Sequence, residues 1–351
     1  MKLLFSICIL LVVYQSSNSS RWEPQVLNGI KWTSENQSQQ LIMFATQQKI
    51  LRIPVKYYGG VDMNTDGIIS EEDIEKFSVW VEDNIPNSYT GPIVMDYEKP
   101  WWEELRGETI TSERLKVLMK PYIEGLNIAR SLRPNAKWGY YGIPTRRNTS
   151  KQWLAQGHSL EPIFSRSGAL FPAIYDCSRG KDRTKEVQRQ IEQSLQAARG
   201  RIPVYAFMTP RYCGENGNRS LFVPDDVFLR QANAALKAKW IDEQGVEHRI
   251  KGIIMWDAFG YTPEEGWAEL DAQHIHYMTL LLAITDAWGE SMENVPIVVA
   301  PEQYQLCQQG LPHLENSGLM IGESTDQNVI NNKLTGERVE NEKVPDNRVP
   351  N

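Results

Sequence analysis

Apolar and polar positions along this chain alternate between two periods. Short runs rich in Ile, Val, Tyr and Trp at 50–58, 92–97, 137–142, 169–175, 202–208 and 251–256 predict strands. Segments 71–84, 112–132, 181–199, 225–239 and 274–288 carry a helical period. In 112–132 the apolar residues Leu115, Leu118, Met119, Tyr122, Ile123 and Leu126 keep one face, and Pro134 stops the pattern. Strands alternating with helices predict parallel βα units. Six or more such units over roughly 250 residues point to a TIM-like (β/α) barrel, a single large α/β domain, rather than a doubly wound sheet. No glycine-rich GxGxxG follows the first predicted strand, which removes the main support for a dinucleotide fold.

The two ends differ from this middle. Residues 1–20 join one Lys, an apolar run from Leu3 to Tyr14, and small polar residues with Ser17 and Ser19 in a small-x-small arrangement. The run is about half the ~20 residues a membrane span needs, so it reads as a cleaved export signal. No later segment is long and apolar enough to span a bilayer. The barrel is placed at 21–310, and the polar, Asn- and Glu-rich 311–351 as a loosely ordered tail. A net charge of −7 with no Lys/Arg tract argues against nucleic acid as a partner. Without the signal, Cys177, Cys213 and Cys307 remain, so at most one internal disulfide forms. Cys177 and Cys213 each follow a predicted strand and are the favoured pair; three free thiols are the alternative. Sequons begin at Asn36, Asn148 and Asn218.

Residues 62–73 have the spacing of a calcium loop. Asp62, Asn64 and Asp66 supply oxygens at positions 1, 3 and 5, and Gly67 takes the turn at position 6. Ile68 gives its carbonyl at 7, Ser70 acts at 9, and Asp73 closes the loop at 12. The single copy before a predicted helix points to one structural Ca2+ pinning a βα loop after the first predicted strand. The competing reading is an acidic turn and helix cap.

The most informative run is Gly91 to Glu98. Strand side chains alternate, so Asp96 and Glu98 share a face while Tyr97 points away. They fall at the carboxyl end of a strand, where barrel chemistry sits. Two neighbouring carboxylates oppose each other's ionisation, so one is raised and can serve as an acid while the other stays charged. Glycoside hydrolysis uses such pairs. His274 and His276 lie two apart on a helical pattern and share no face, so they are not a metal pair.

Across roughly residues 50–290 the sequence resembles the hyaluronidase-type glycoside hydrolases. Asp96-Tyr97-Glu98 looks like that family's D-x-E strand. Trp138 to Gly142 resembles its WGYYG-like strand, Leu170 to Tyr175 its LxPSxY strand end, Pro203 to Tyr205 a following strand, and Ile253 to Trp256 its IxIWG strand. The resemblance implies a distorted (β/α) barrel and substrate-assisted retention on a hexosamine polysaccharide. Glu98 would be the general acid/base and Asp96 would orient the substrate's 2-acetamido group. Tyr175, Tyr205 and Trp256 would line that pocket. Trp101, Trp102, Tyr140, Tyr141 and Asp257 are assigned to substrate binding. Asp257 stands where the family usually has Gly, the calcium loop is foreign to its pattern, and its cysteine arrangement is absent. Arg146, Arg147, Lys151 and Arg166 are placed to form a basic patch above the barrel. Two other readings stay open: a non-catalytic, calcium-dependent carbohydrate-binding barrel, and a hydrolase of sugars without an acetamido group.

Overall fold

The computed structural model describes residues 22–33, 36–105, 110–177, 179–213 and 221–290. The predicted export signal, Cys307, the sequon at Asn218 and the predicted tail lie outside these residues. The elements in chain order begin with β1 (Gln25–Asn28), α1 (Gln39–Gln47), β2 (Leu51–Arg52), β3 (Val55–Lys56), α2 (Glu71–Asn84), β4 (Pro92–Met95), α3 (Trp102–Leu105), α4 (Ser112–Leu132) and β5 (Lys137–Tyr140). They continue with α5 (Lys151–Ala155), α6 (Glu161–Phe164), α7 (Thr184–Ala198), β6 (Tyr205–Met208), α8 (Asp225–Lys237), the small hairpin β7 (Trp240–Ile241) and β8 (Glu247–His248), β9 (Gly252–Met255), and α9 (Trp267–Glu290).

The strands run parallel around a ring. β1 pairs with β2, and β3, the continuation of β2, pairs with β4, which pairs with β5. The 169–175 run, predicted as a full strand, contributes single bridges: Phe171 to Tyr141, Leu170 to Val204 and Ala173 to Phe207. β6 then pairs with β9, and β9 returns to β1. The closing strand β1 is absent from the predicted set, so the 62–73 loop follows the second barrel strand rather than the first.

Alternation divides the core in two. Leu27, Ile53, Val94, Ala169, Phe171, Tyr205, Phe207 and Ile254 fill the barrel interior. Their neighbours, such as Val26, Ile93, Met95, Ala206 and Ile253, pack against the helices. The helices after Ser38, Ser70, Thr111 and Ser150 start at side-chain caps. Ser70 and Asp73 form a reciprocal capping box on α2, and the Thr111 hydroxyl accepts from the Arg114 N–H at 3.2 Å on α4.

Candidate active site

The carboxyl ends of the barrel strands open into a cleft of about 520 Å³. Asp96, Glu98, Tyr175 and Trp256 all line it, as do Trp102, Tyr141 and Asp257. Strand period places the first two: Val94, Asp96 and Glu98 share one side of the β4 run, and Tyr97 is buried behind it. There the Tyr97 hydroxyl donates to Asp62 Oδ2 at 2.6 Å, so the acidic strand end and the oxygen-rich loop are tied through the residue between the two carboxylates.

Asp96 is half-buried, and its Oδ1 is shielded from water without a hydrogen-bond partner. Burial, then the charge of Glu98, pushes the Asp96 carboxyl up to about 7, while Lys31 pulls it down. Glu98 sits exposed at the mouth. Asp96, the deeper group, is therefore raised, and Glu98 is one of the causes.

Aromatic rings form a continuous wall. Trp102 stacks on Tyr141 with centroids 6.2 Å apart, Tyr141 meets Tyr175 at 5.8 Å, and Tyr175 stacks on Trp256 at 6.0 Å. Tyr141 and Tyr175 also hydrogen-bond through their side chains, and burial raises both hydroxyls above the usual tyrosine value. Gly142 makes this stacking possible: a Cβ there would come within 2.4 Å of the Trp102 ring, and its φ of +69° disfavours other residues. Tyr57, absent from the predicted site, accepts the Trp256 indole N–H at 3.3 Å, and burial raises its hydroxyl. Its sequence signal was its place at a strand end on the same side as Val55. Phe207, Arg211 and Tyr261 also line the cleft without having been predicted.

Four predicted substrate contacts are corrected. Tyr205 is buried inside the barrel against Phe171, one strand period below Phe207, so no hydroxyl from β6 reaches the cleft. Tyr140 points outward, where its hydroxyl donates to the Tyr122 carbonyl at 3.0 Å. Trp101 packs over Gly67 of the acidic loop, and Trp102 alone of that pair lines the cleft. Asp257 borders the cleft but is 1% exposed, and its Oδ2 is shared by Arg211 Nε at 2.7 Å and His274 Nε2 at 2.8 Å. It holds Arg211 in the wall instead of facing solvent.

The Cys177–Cys213 disulfide is present and borders the cleft. Asn148 is buried, and its side chain binds Thr145 and the Leu105 carbonyl, so that sequon is closed to a glycan. Arg146 and Arg147 line the cleft, whereas Arg166 lies apart with its guanidinium on the Pro162 carbonyl.

The 62–73 loop has the turn the calcium reading requires. Gly67 takes φ +87°, and its N–H donates to Asp62 Oδ2 at 2.8 Å. Asp66 Oδ1 accepts from the Ile68 N–H at 2.8 Å. Asp73, however, turns to Ser70 and the Met63 N–H and caps α2. Among the described residues no three His, Cys, Asp or Glu side chains are grouped as a metal site. The spacing and hard oxygen donors fit the ion; the side chain at position 12, as placed, serves the helix.

Similarity to known proteins follows this geometry. No protein-family model matches the chain. Among solved structures, bee venom hyaluronidase superposes with a TM-score of 0.53 at 16% identity, over 75% of this chain and 99% of that one. The chain has the barrel fold of bee venom hyaluronidase. A second bee venom hyaluronidase structure, in complex with a hyaluronic acid tetramer, superposes with a TM-score of 0.52 at 14% identity. Among curated proteins, hyaluronidase PH-20 of Mus musculus is 22% identical over 253 residues, 58% of this chain and 46% of that protein. A hyaluronidase of Polybia paulista is 26% identical over 137 residues, 35% of this chain and 44% of its own length. A chondroitin hydrolase of Caenorhabditis elegans is 34% identical over 88 residues, 22% of this chain and 19% of its length. The chain thus spans less than half of each curated relative it matches.

Proposed function

We propose that this protein is an exported glycoside hydrolase that cleaves a hexosamine-containing polysaccharide with retention, using the substrate's own acetamido group. The observation that carries the reading is the meeting of Asp96, Glu98, Tyr175 and Trp256 in one aromatic-walled cleft at the carboxyl end of the barrel. Curated relatives named hyaluronidase and chondroitin hydrolase support the same class of reaction.

In this reading the acetamido carbonyl oxygen attacks the anomeric carbon while the Glu98 carboxylic acid gives its proton to the leaving glycosidic oxygen. Asp96 accepts the acetamido N–H and offsets the positive charge of the cyclic intermediate. Water then adds as the Glu98 carboxylate takes its proton. A raised Asp96 suits this role. An N–H donated to its shielded Oδ1 favours the ionised form, and the resulting negative charge helps Glu98 keep its proton. Tyr175 and Trp256 face the sugar and the acetamido methyl, and Tyr57 and Tyr141 add hydroxyls to that wall.

The disulfide and the apolar leader support an oxidising, exported setting. One structural Ca2+ at 62–73 would brace the loop that carries Asp62 and, through Tyr97, the acidic strand end.

The test is product release from hyaluronan, chondroitin and chitin oligosaccharides, with Glu98→Gln alongside. Cleavage confined to acetamido-bearing chains and lost in the variant is the expected result. Retention of glycans without any cleavage would replace the hydrolase with a binding module.

A further inference from the structure

Arg52, the last residue of β2, is a half-buried cation with no acid facing it. Its guanidinium carbon lies 3.4 Å from the centroid of the Trp32 indole, so the two groups are in contact. Arg52 Nη1 is shielded from water and has no hydrogen-bond partner, and the same holds for Trp32 Nε1. Among the described residues, Tyr57 is the titratable group that faces this guanidinium. Burial pushes the guanidinium down to about 10, so it still carries its charge at neutral pH. Lys31, beside Trp32 in the chain, adds a second cation, with Nζ 4.4 Å from the Tyr57 ring centroid.

We propose that Arg52 and Trp32 form a binding site for a small monovalent anion of the halide class, beside the Tyr57 wall of the cleft. A shielded charge costs free energy unless an opposite charge or full hydrogen bonding compensates it. Both orphan groups are donors, and neither a guanidinium nor an indole N–H can accept. Their ligand is therefore an acceptor. Water would bring two hydrogens that need acceptors of their own, whereas an anion brings none and supplies the missing charge. Chloride and bromide suit a guanidinium, which is itself weakly hydrated. The Tyr57 hydroxyl, which accepts the Trp256 indole N–H, lies in the field of Arg52, and the anion offsets that field. The site makes no use of the cleft carboxylates and does not rest on the hydrolase reading.

The experiment melts the protein in sodium gluconate, chloride and bromide at one ionic strength of about 0.1 M, so that general screening is the same in each. Arg52→Gln and Trp32→Phe are melted alongside. The expected result is a melting temperature about 2–4 °C higher in chloride and bromide than in gluconate, because only the folded chain holds the anion. The rise should vanish in Arg52→Gln. It should shrink in Trp32→Phe, which keeps a ring against the guanidinium and removes the indole N–H. Bromide-soaked crystals of the parent should show an anomalous peak against Arg52 Nη1, which keeps the site testable should Arg52→Gln fail to fold. Equal melts of the parent in all three salts, or a halide rise that Arg52→Gln retains in full, overturn the site and leave water on the two donors. A bromide map without a peak there overturns it as well.

Discussion

Asp96 and Glu98 face the same cleft from one side of the β4 run, and the deeper of the two has its carboxyl pushed up to about 7. Burial is the larger cause and the charge of Glu98 the second. The pair is therefore coupled, and each proton belongs to the dyad as much as to one residue. In the proposed reaction the acetamido N–H draws Asp96 toward its ionised form, and the proton that chemistry needs stays on Glu98.

Asp96→Asn should separate stability from function. With its folded pKa raised from 3.8 to about 7, Asp96 holds a proton in the folded protein that the unfolded chain has lost. Stability of the parent should then fall as pH rises through that window. The variant should show a flatter profile and a melting temperature above the parent's at pH 8, by on the order of 1–2 kcal/mol in stability, with cleavage lost. Parallel profiles in melts at pH 4, 6 and 8 would rule out the raised carboxyl.

Tyr57→Phe removes the hydroxyl that accepts the Trp256 indole N–H. The lost bond is worth about 1 kcal/mol, and the ring keeps its packing. The expected outcome is a several-fold loss in kcat/KM with little change in melting temperature. Steady-state kinetics on the preferred glycan would check this, and unchanged kinetics would remove Tyr57 from the site.

Asp257→Ala should be the most destabilising change near the cleft. It leaves Arg211, 4% exposed, and His274, fully buried, without their shared carboxylate. Breaking a buried pair costs about 3–5 kcal/mol. Denaturant unfolding should show a loss of that size, and Asp257→Asn a smaller one.

Calcium should raise the melting temperature of the protein, and a chelator should reverse the rise, because an ion bound only by the folded state adds stability by mass action. Asp62→Ala should abolish the response. Asp73→Ser should weaken it and also loosen the cap of α2. Identical melts with and without calcium would leave the loop as a capped turn.

Much of the barrel was legible because long elements carry redundant signals. The 71–84 and 112–132 helices match α2 and α4, since a periodic apolar face and a capping Ser70 or Thr111 mark the same start. β1 has no such redundancy. It is four residues long, and only its pairing with both β2 and β9 identifies it as a strand. Alternation also explains the site. Asp96 and Glu98 share a face, so predicting one predicts the other. Tyr140 and Tyr141 are strand neighbours on opposite faces, so only one could reach the cleft, and the sequence did not say which. Tyr205 failed for a related reason: its face was right and its depth was not.

The most direct test of the central claim is the rate of glycosidic cleavage by the intact protein and by Glu98→Gln on an acetamido-bearing polysaccharide. Glu98 is exposed at the mouth, and a thermal melt confirms that the amide variant is folded. The account predicts a fall in kcat of roughly 100-fold or more with substrate still bound. A folded Glu98→Gln protein that cleaves at the parent's rate would contradict it.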